Sequence, residues 1–150
     1  MTVSEKGIEF IKSWEAFRPV PYLDSAGLAT WGYGHKAIPG EVYPDHVDEI
    51  TALSILQHDL MDPQRTISML VKVTIDQGKF DALTSFTMNV GMGNFRSSTL
   101  LKFLNGGSLE QAASEFLRWC HAGGFESAGL LARRQAERAM FLTGVYQMHV

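Results

Sequence analysis

The feature that most constrains this chain is a break in its texture across residues 18–40, where helix-patterned sequence gives way to proline, glycine and tyrosine. Pro19, Pro21 and Gly27 stop a helix: proline lacks an amide N–H and crowds the preceding turn, and glycine gives up the most backbone freedom on ordering. Ala29, Thr30, Trp31, Gly32 and Tyr33 then read as a short strand after a turn. A β-hairpin or small three-stranded sheet is therefore expected here. Helical patterning flanks it. Ser4 is placed to cap a helix over residues 4–15. Asp48 can cap a helix holding Ile50, Leu53, Leu56 and Leu60, kinked or restarted at Pro63. Asp76 can cap another that turns Phe80, Leu83, Phe86 and Val90 inward and ends at Gly91. Ser97 opens a short helix that stops at Asn105, Gly106 and Gly107, and Ser108 to Gln111 has the form of a capping box. A last helix is expected over residues 130–143. The predicted fold class is α+β in a single domain, residues 1–150: a small N-terminal sheet lobe (13–60), a predominantly helical lobe (1–12 with 61–150), and a cleft between them able to take a long polymer.

Composition narrows the functions such a fold can have. A chain of 150 residues buries a core without disulfides or metals, and its single cysteine excludes an internal disulfide. Cys120 reads as a packing thiol, because on a helix its neighbour His121 points elsewhere. The net charge of −3 argues against nucleic acid as the main partner. Residues 1–75 carry six Lys/Arg against ten Asp/Glu, and residues 76–150 seven against six. Arg133, Arg134 and Arg138 read as a solvated helix face. No apolar run reaches the roughly 18 residues of a membrane span, so no stable membrane insertion is expected. The N-terminus lacks the basic-then-apolar form of a secretion signal, which places the protein in the cytoplasm until released. The five histidines show no ligand spacing, so neither metal nor cofactor is expected.

The chemistry concentrates between Glu15 and His35. Ile8, Ile11 and Glu15 fall at i, i+3 and i+7, so a carboxylate ends an apolar helix stripe. A carboxylate buried there would be disfavoured in its charged form and so fitted to general-acid work; a helix-end glutamate reaching into water is the alternative. Asp24 lies in a turn, either as an ordinary turn aspartate or as the second carboxylate of a glycosidase. Cleaving a glycosidic bond needs a proton donor and a negative charge near the oxocarbenium ion. Thr30 offers a hydroxyl to orient water, or is simply a strand former. Gly32 and Gly34 inside a strand suggest close approach by backbone or ligand. Trp31 and Tyr33 can stack on sugars or fill the core, and His35 can be catalytic or held by an acidic partner.

The string Glu15-x8-Asp24-x2-Gly27-x2-Thr30-x-Gly32-Tyr33-Gly34-His35 resembles the catalytic signature of the phage-type lysozymes, glycoside hydrolase family 24. The resemblance continues through Phe80 to Phe86, Asn89 to Gly91, Asn94 to Leu101, Phe116 to Trp119, Gly129 to Arg134, and Glu137 with Arg138. Trp31, where an aliphatic residue is usual, and the acidic net charge are mild departures. The resemblance implies a lysozyme-like fold and hydrolysis of the β-1,4 bond between N-acetylmuramic acid and N-acetylglucosamine, with inversion. Glu15 would be the general acid, Asp24 would stabilise the positive charge, and Thr30 would help Asp24 hold the water. Asn89 and Ser98 would line the substrate cleft. The implied partner is the peptidoglycan glycan strand, met by a monomer that a holin releases at the end of a phage cycle. A lytic transglycosylase, which needs one carboxylate, and a catalytically dead wall-binding module are the rival readings. Delivery by a secretion system is the rival setting.

Overall fold

A computed structural model describes all 150 residues. Helix α1 (Glu5–Glu15) starts where the Ser4 hydroxyl accepts the Gly7 amide at 3.0 Å. It ends abruptly at Ala16, whose φ of 59° makes it the one non-glycine residue with positive φ. Strands β1 (Arg18–Leu23), β2 (Ala29–Gly32) and β3 (His35–Lys36) follow in an antiparallel sheet of that order. The register pairs Tyr22 with Thr30, Thr30 with Lys36, and Trp31 with His35. It slips between Arg18 and Tyr22, where Pro19 and Pro21 have no N–H to give the ladder. Helix α2 (Glu49–Asp59) covers the sheet, close enough that a Cβ on Gly32 would sit 3.4 Å from that of Ala52.

The helical lobe is built around α4 (Gln77–Val90), in which every residue from Phe80 to Thr87 is buried. A helix buried on all sides needs neighbours on all sides. They are α1, α3 (Met61–Leu70), α5 (Met92–Ser97) and α8 (Ala128–Thr143). Helices α6 (Thr99–Asn105) and α7 (Leu109–Glu115) close the far end. Phe86 meets Phe116 edge-on at 5.1 Å, and Phe116 meets Phe141 at 5.4 Å, which ties α4, α8 and the turn after α7 together.

Several local expectations need correction. Ser97 does not open the short helix: it closes α5, and Ser98 caps α6. Ser108 makes no capping hydrogen bond: its backbone, at ψ 73°, lacks the extended conformation, ψ 165° to 176°, of the caps at Ser4, Asp48 and Asp76. Ile50 is 84% exposed, and Ala52 and Leu56 fill the inward positions instead. Pro63 lies in the first turn of α3, so the helix restarts there as expected, where a missing N–H costs nothing. The chain is not wholly helical after the sheet. Strands β4 (His121–Ala122) and β5 (Phe125–Glu126) form a hairpin around Gly123 and Gly124, at φ 59° and 83°. Cys120 is buried as expected, yet its sulfur lies 3.7 Å from His121 Nδ1, because this segment has left the helix. No helix is long and apolar enough to cross a membrane.

Asp81, fully buried on α4, joins the N-terminus and the C-terminal tail. It accepts from the Ser4 amide at 3.0 Å, the Ser4 hydroxyl, Gln77 at 2.8 Å and the Tyr146 hydroxyl at 2.6 Å. Burial and the bond to Asp81 push the Tyr146 phenol up to about 12. Gly7 lets α1 come this close, since a Cβ there would stand 2.7 Å from Asp81 Cγ. Asp81→Ala strands four donors and is expected to cost about 3 kcal/mol, against about 1 kcal/mol for Tyr146→Phe. Urea unfolding checks this through a lower midpoint at unchanged slope.

Candidate active site

Glu15 ends α1 with its carboxylate between two lobes' worth of structure. Arg133 Nη1 of α8 donates to its Oε1 at 2.7 Å. Oε2 lies against Gly34, where a Cβ would overlap it and stand 2.8 Å from the carboxyl carbon. Glycine is thus required at position 34 twice over, for this approach and for its φ of 75°.

Behind Glu15 runs a sealed chain of charge. Arg133 reaches Glu137 Oε2 at 3.4 Å, and Ser85 donates to the same oxygen at 2.5 Å. Arg134 Nε lies 2.7 Å from Glu137 Oε1 as an ion pair without hydrogen-bond alignment, and its Nη2 donates to Asn89 at 2.8 Å. Burial pulls the Arg133 guanidinium down, but Glu15 and Glu137 outweigh it and leave its pKa raised. The expected solvated face of α8 is therefore wrong for Arg133 and Arg134, which are 4% and 0% exposed. Their charges are matched inside by two carboxylates, the condition under which arginine can be buried. For the same reason Glu15 faces a guanidinium rather than a purely apolar pocket.

Asp24 is treated differently. Its Oδ1 accepts the amides of Ala26 and Leu28, both at 2.9 Å, and its Oδ2 pairs with the Lys36 ammonium. Lys36, followed by the Leu28 amide, holds the Asp24 carboxyl below its ordinary value. Thr30, buried in β2, donates to the Leu28 carbonyl at 3.1 Å, which leaves its oxygen free to accept. Thr30 stands directly across from Lys36, so Asp24, Thr30 and Lys36 meet at one end of the sheet. Gly34, two residues before Lys36, meets Glu15.

His35 sits between two carboxylates, with Nδ1 2.7 Å from Asp59 and Nε2 3.0 Å from Glu41. Trp31 and Tyr33 are buried in the core, against His35 and Phe17 respectively. A cleft of about 300 Å³ runs from Gly34 and Lys36 on the sheet to Thr87 and Met92 on the helices. A second groove of about 440 Å³ is walled by Asn89, Asn94, Arg118 and Trp119. Asn89 is exposed there. Ser98 is 3% exposed; its hydroxyl donates to Phe95 and accepts the Leu101 amide, so its side chain is committed to capping α6. The sequence assigned no site role to Lys36, Arg133 or Glu137. Only the last two left a signal, an i, i+4 charge pair.

A family model described as phage lysozyme matches residues 12–137. The chain belongs to the phage lysozyme family. Among its relatives, the endolysin of Salmonella phage P22 is 39% identical over 149 residues, covering 95% of this chain and 99% of the relative. The endolysin of Bacillus phage B103 is 42% identical over 147 residues, covering 96% of this chain. The chain spans about half of that relative's length, 55%. The solved endolysin from Escherichia coli O157:H7 phage FAHEc1 superposes with a TM-score of 0.90 at 32% identity, over 98% of this chain and 97% of that one. The α+β, lysozyme-like fold class is thereby shown.

Two expectations follow from this geometry. Gly34→Ala is expected to cost about 2 kcal/mol through strained φ and overlap with Glu15. The overlap part disappears in the background of Glu15→Ala, so a double-mutant cycle read by thermal melting gives a coupling of about 1 kcal/mol. Burial lowers the pKa of His35, and Asp59 and Glu41 more than restore it, leaving it above its ordinary 6.5. The stabilisation is then complete below 6.5 and is lost as pH rises through the raised value. The Ile38 amide and His35 hold Glu41 below its ordinary 4.5, so its share is lost only as pH falls through that lowered value. The melting deficit of His35→Gln is expected to be full near pH 6 and to shrink towards pH 9, measured by melting across that range.

Proposed function

We propose that this protein is a muramidase that hydrolyses the β-1,4 bond between N-acetylmuramic acid and N-acetylglucosamine in peptidoglycan, with inversion. The observation that carries the reading is that one turn and strand meet two carboxylates: Gly34 of the β2–β3 turn abuts Glu15, and Lys36 of β3 pairs with Asp24. A glycosidase needs two such groups, one that gives a proton and one that is ionised when the bond breaks. Glu15, in its protonated form, donates to the leaving oxygen, and Arg133 fixes the plane of its carboxyl. Asp24 stabilises positive charge at the anomeric carbon. A water held by Thr30 and Asp24 adds from the opposite face and passes a proton to Asp24 as the bond breaks.

The glycan lies along the cleft between Lys36 and Met92. Asn89 contacts sugar from the wall of the second groove. Ser98 serves substrate binding through the α5–α6 junction that it caps, rather than by touching sugar. In the cell, the protein acts as a monomer held in the host cytoplasm until a holin opens the membrane, and lyses the host at the end of a phage cycle.

Mass spectrometry of digested, purified peptidoglycan tests the reaction, with reducing ends expected; anhydro-muramic ends would mark a transglycosylase. Glu15→Gln is expected to lower the rate of reducing-end release by about 10²- to 10⁴-fold, while near-ultraviolet circular dichroism confirms that the variant folds. Undiminished release by that variant sinks the assignment.

A further inference from the structure

Lys36 is a surface lysine by exposure, with 57% of its side chain open, yet its ammonium is spent on the Asp24 carboxylate, which is 13% open. No other charged side chain lies within ion-pair distance of Asp24. His35, His58, Asp59 and Asp62 share the cleft with Lys36, and the Asp59 carboxylate is taken by His35. The placement follows from register. Lys36 is the cross-strand partner of Thr30, so its stem crosses the middle strand towards the turn that carries Asp24. His35, the preceding residue, is anchored on both sides by Asp59 and Glu41, so the strand that aims Lys36 is itself fixed.

We propose that Lys36 is a positioning residue for the hydrolysis: it clamps Asp24 Oδ2 while the Ala26 and Leu28 amides hold Oδ1, so that the carboxylate keeps one orientation and is ionised when the water attacks. The inference rests on the reading of Asp24 as the charge-stabilising group. Without the ammonium, Oδ2 loses its partner and the carboxyl is free to rotate about the two amide bonds. The Coulombic attraction that resists protonation of Asp24 goes with it. The lysine end of the pair is open to water, which screens the attraction and keeps its contribution to folding small. A structural role and a positioning role therefore separate cleanly.

The test compares the parent with Lys36→Met and Lys36→Arg. Reducing-end release from purified peptidoglycan is followed from pH 3.5 to 8, and the Asp24 carboxyl is titrated in parallel by carbon NMR. For Lys36→Met, the melting temperature near pH 7 is expected to stay within a few degrees of the parent. The acid limb of the activity profile moves to higher pH, and the Asp24 titration moves with it. The maximal rate falls by about tenfold at little change in the peptidoglycan concentration giving half-maximal rate. Lys36→Arg, which keeps the charge, restores the limb and most of the rate. A Lys36→Met activity profile that superimposes on the parent's overturns the proposal, even if the NMR titration moves. So does a loss that arginine cannot rescue. Failure of the underlying reading looks different: the parent releases no reducing ends, or Glu15→Gln is as active as the parent, while the NMR still reports the clamp.

Discussion

Arg133, Arg134 and Glu137, buried between α1, α4 and α8, and the half-buried Glu15 at their edge set the conditions for everything else. Arg133 and Arg134 are inside because Glu15 and Glu137 are there to balance them, and Ser85 and Asn89 take further bonding valences. Burying such groups is costly, and losing one partner costs about 3 to 5 kcal/mol because the other is left unpaired. The network is therefore a lock that tolerates one arrangement of the three helices. α4 must present Ser85 and Asn89, α8 must present Arg133 and Glu137 one turn apart, and α1 must end at Glu15. The position of the proposed proton donor is in this sense a property of the helical core.

Asp24 is set by different means. It sits in a five-residue turn whose amides converge on it, and one lysine from across the sheet completes its shell. Glu15 answers to the helices and Asp24 to the sheet, so the relative placement of the two depends on how the sheet docks. Gly34 is where that docking is decided. It brings the β2–β3 turn against Glu15, and His35 immediately pins the same strand to Asp59 at the end of α2. Three consecutive residues, Gly34, His35 and Lys36, thus touch one carboxylate, an anchor and the other carboxylate.

The sequence made visible what local chemistry controls. Caps at Ser4, Asp48 and Asp76 formed as the side chains allow, and the prolines of β1 kept the sheet small. The helix face that carried Ile8 and Ile11 to Glu15 also placed that carboxylate between the lobes. What the sequence hid was non-local. A charged triplet on α8 has the same pattern whether it faces water or a partner 118 residues away, as Arg133 and Glu15 are. Lys36 gave no sign, because its role depends on a register that no spacing encodes. The β4–β5 hairpin was different: Gly123 and Gly124 are a two-residue hairpin turn in plain view, passed over because the surrounding pattern is helical. Ser108 erred the other way, with a capping sequence whose backbone angle prevents the bond.

Strain is also distributed unevenly. Ala16, immediately after Glu15, takes φ 59° and ψ 151°, a region where a Cβ is unfavourable by about 1 to 3 kcal/mol. A glycine there would remove that cost, but it would also loosen the one joint between the helix that ends in Glu15 and the strand that begins at Arg18. With alanine, the chain leaves α1 in a single direction. The C-terminal tail reinforces the same helix end, as Trp14 stacks on His149 at 4.4 Å and donates to the Gln147 carbonyl. Held by Arg133 on one side, by a stiff exit at Ala16 and by this aromatic brace, Glu15 has little freedom to leave its place, and the turn at Gly34 can press against it without displacing it.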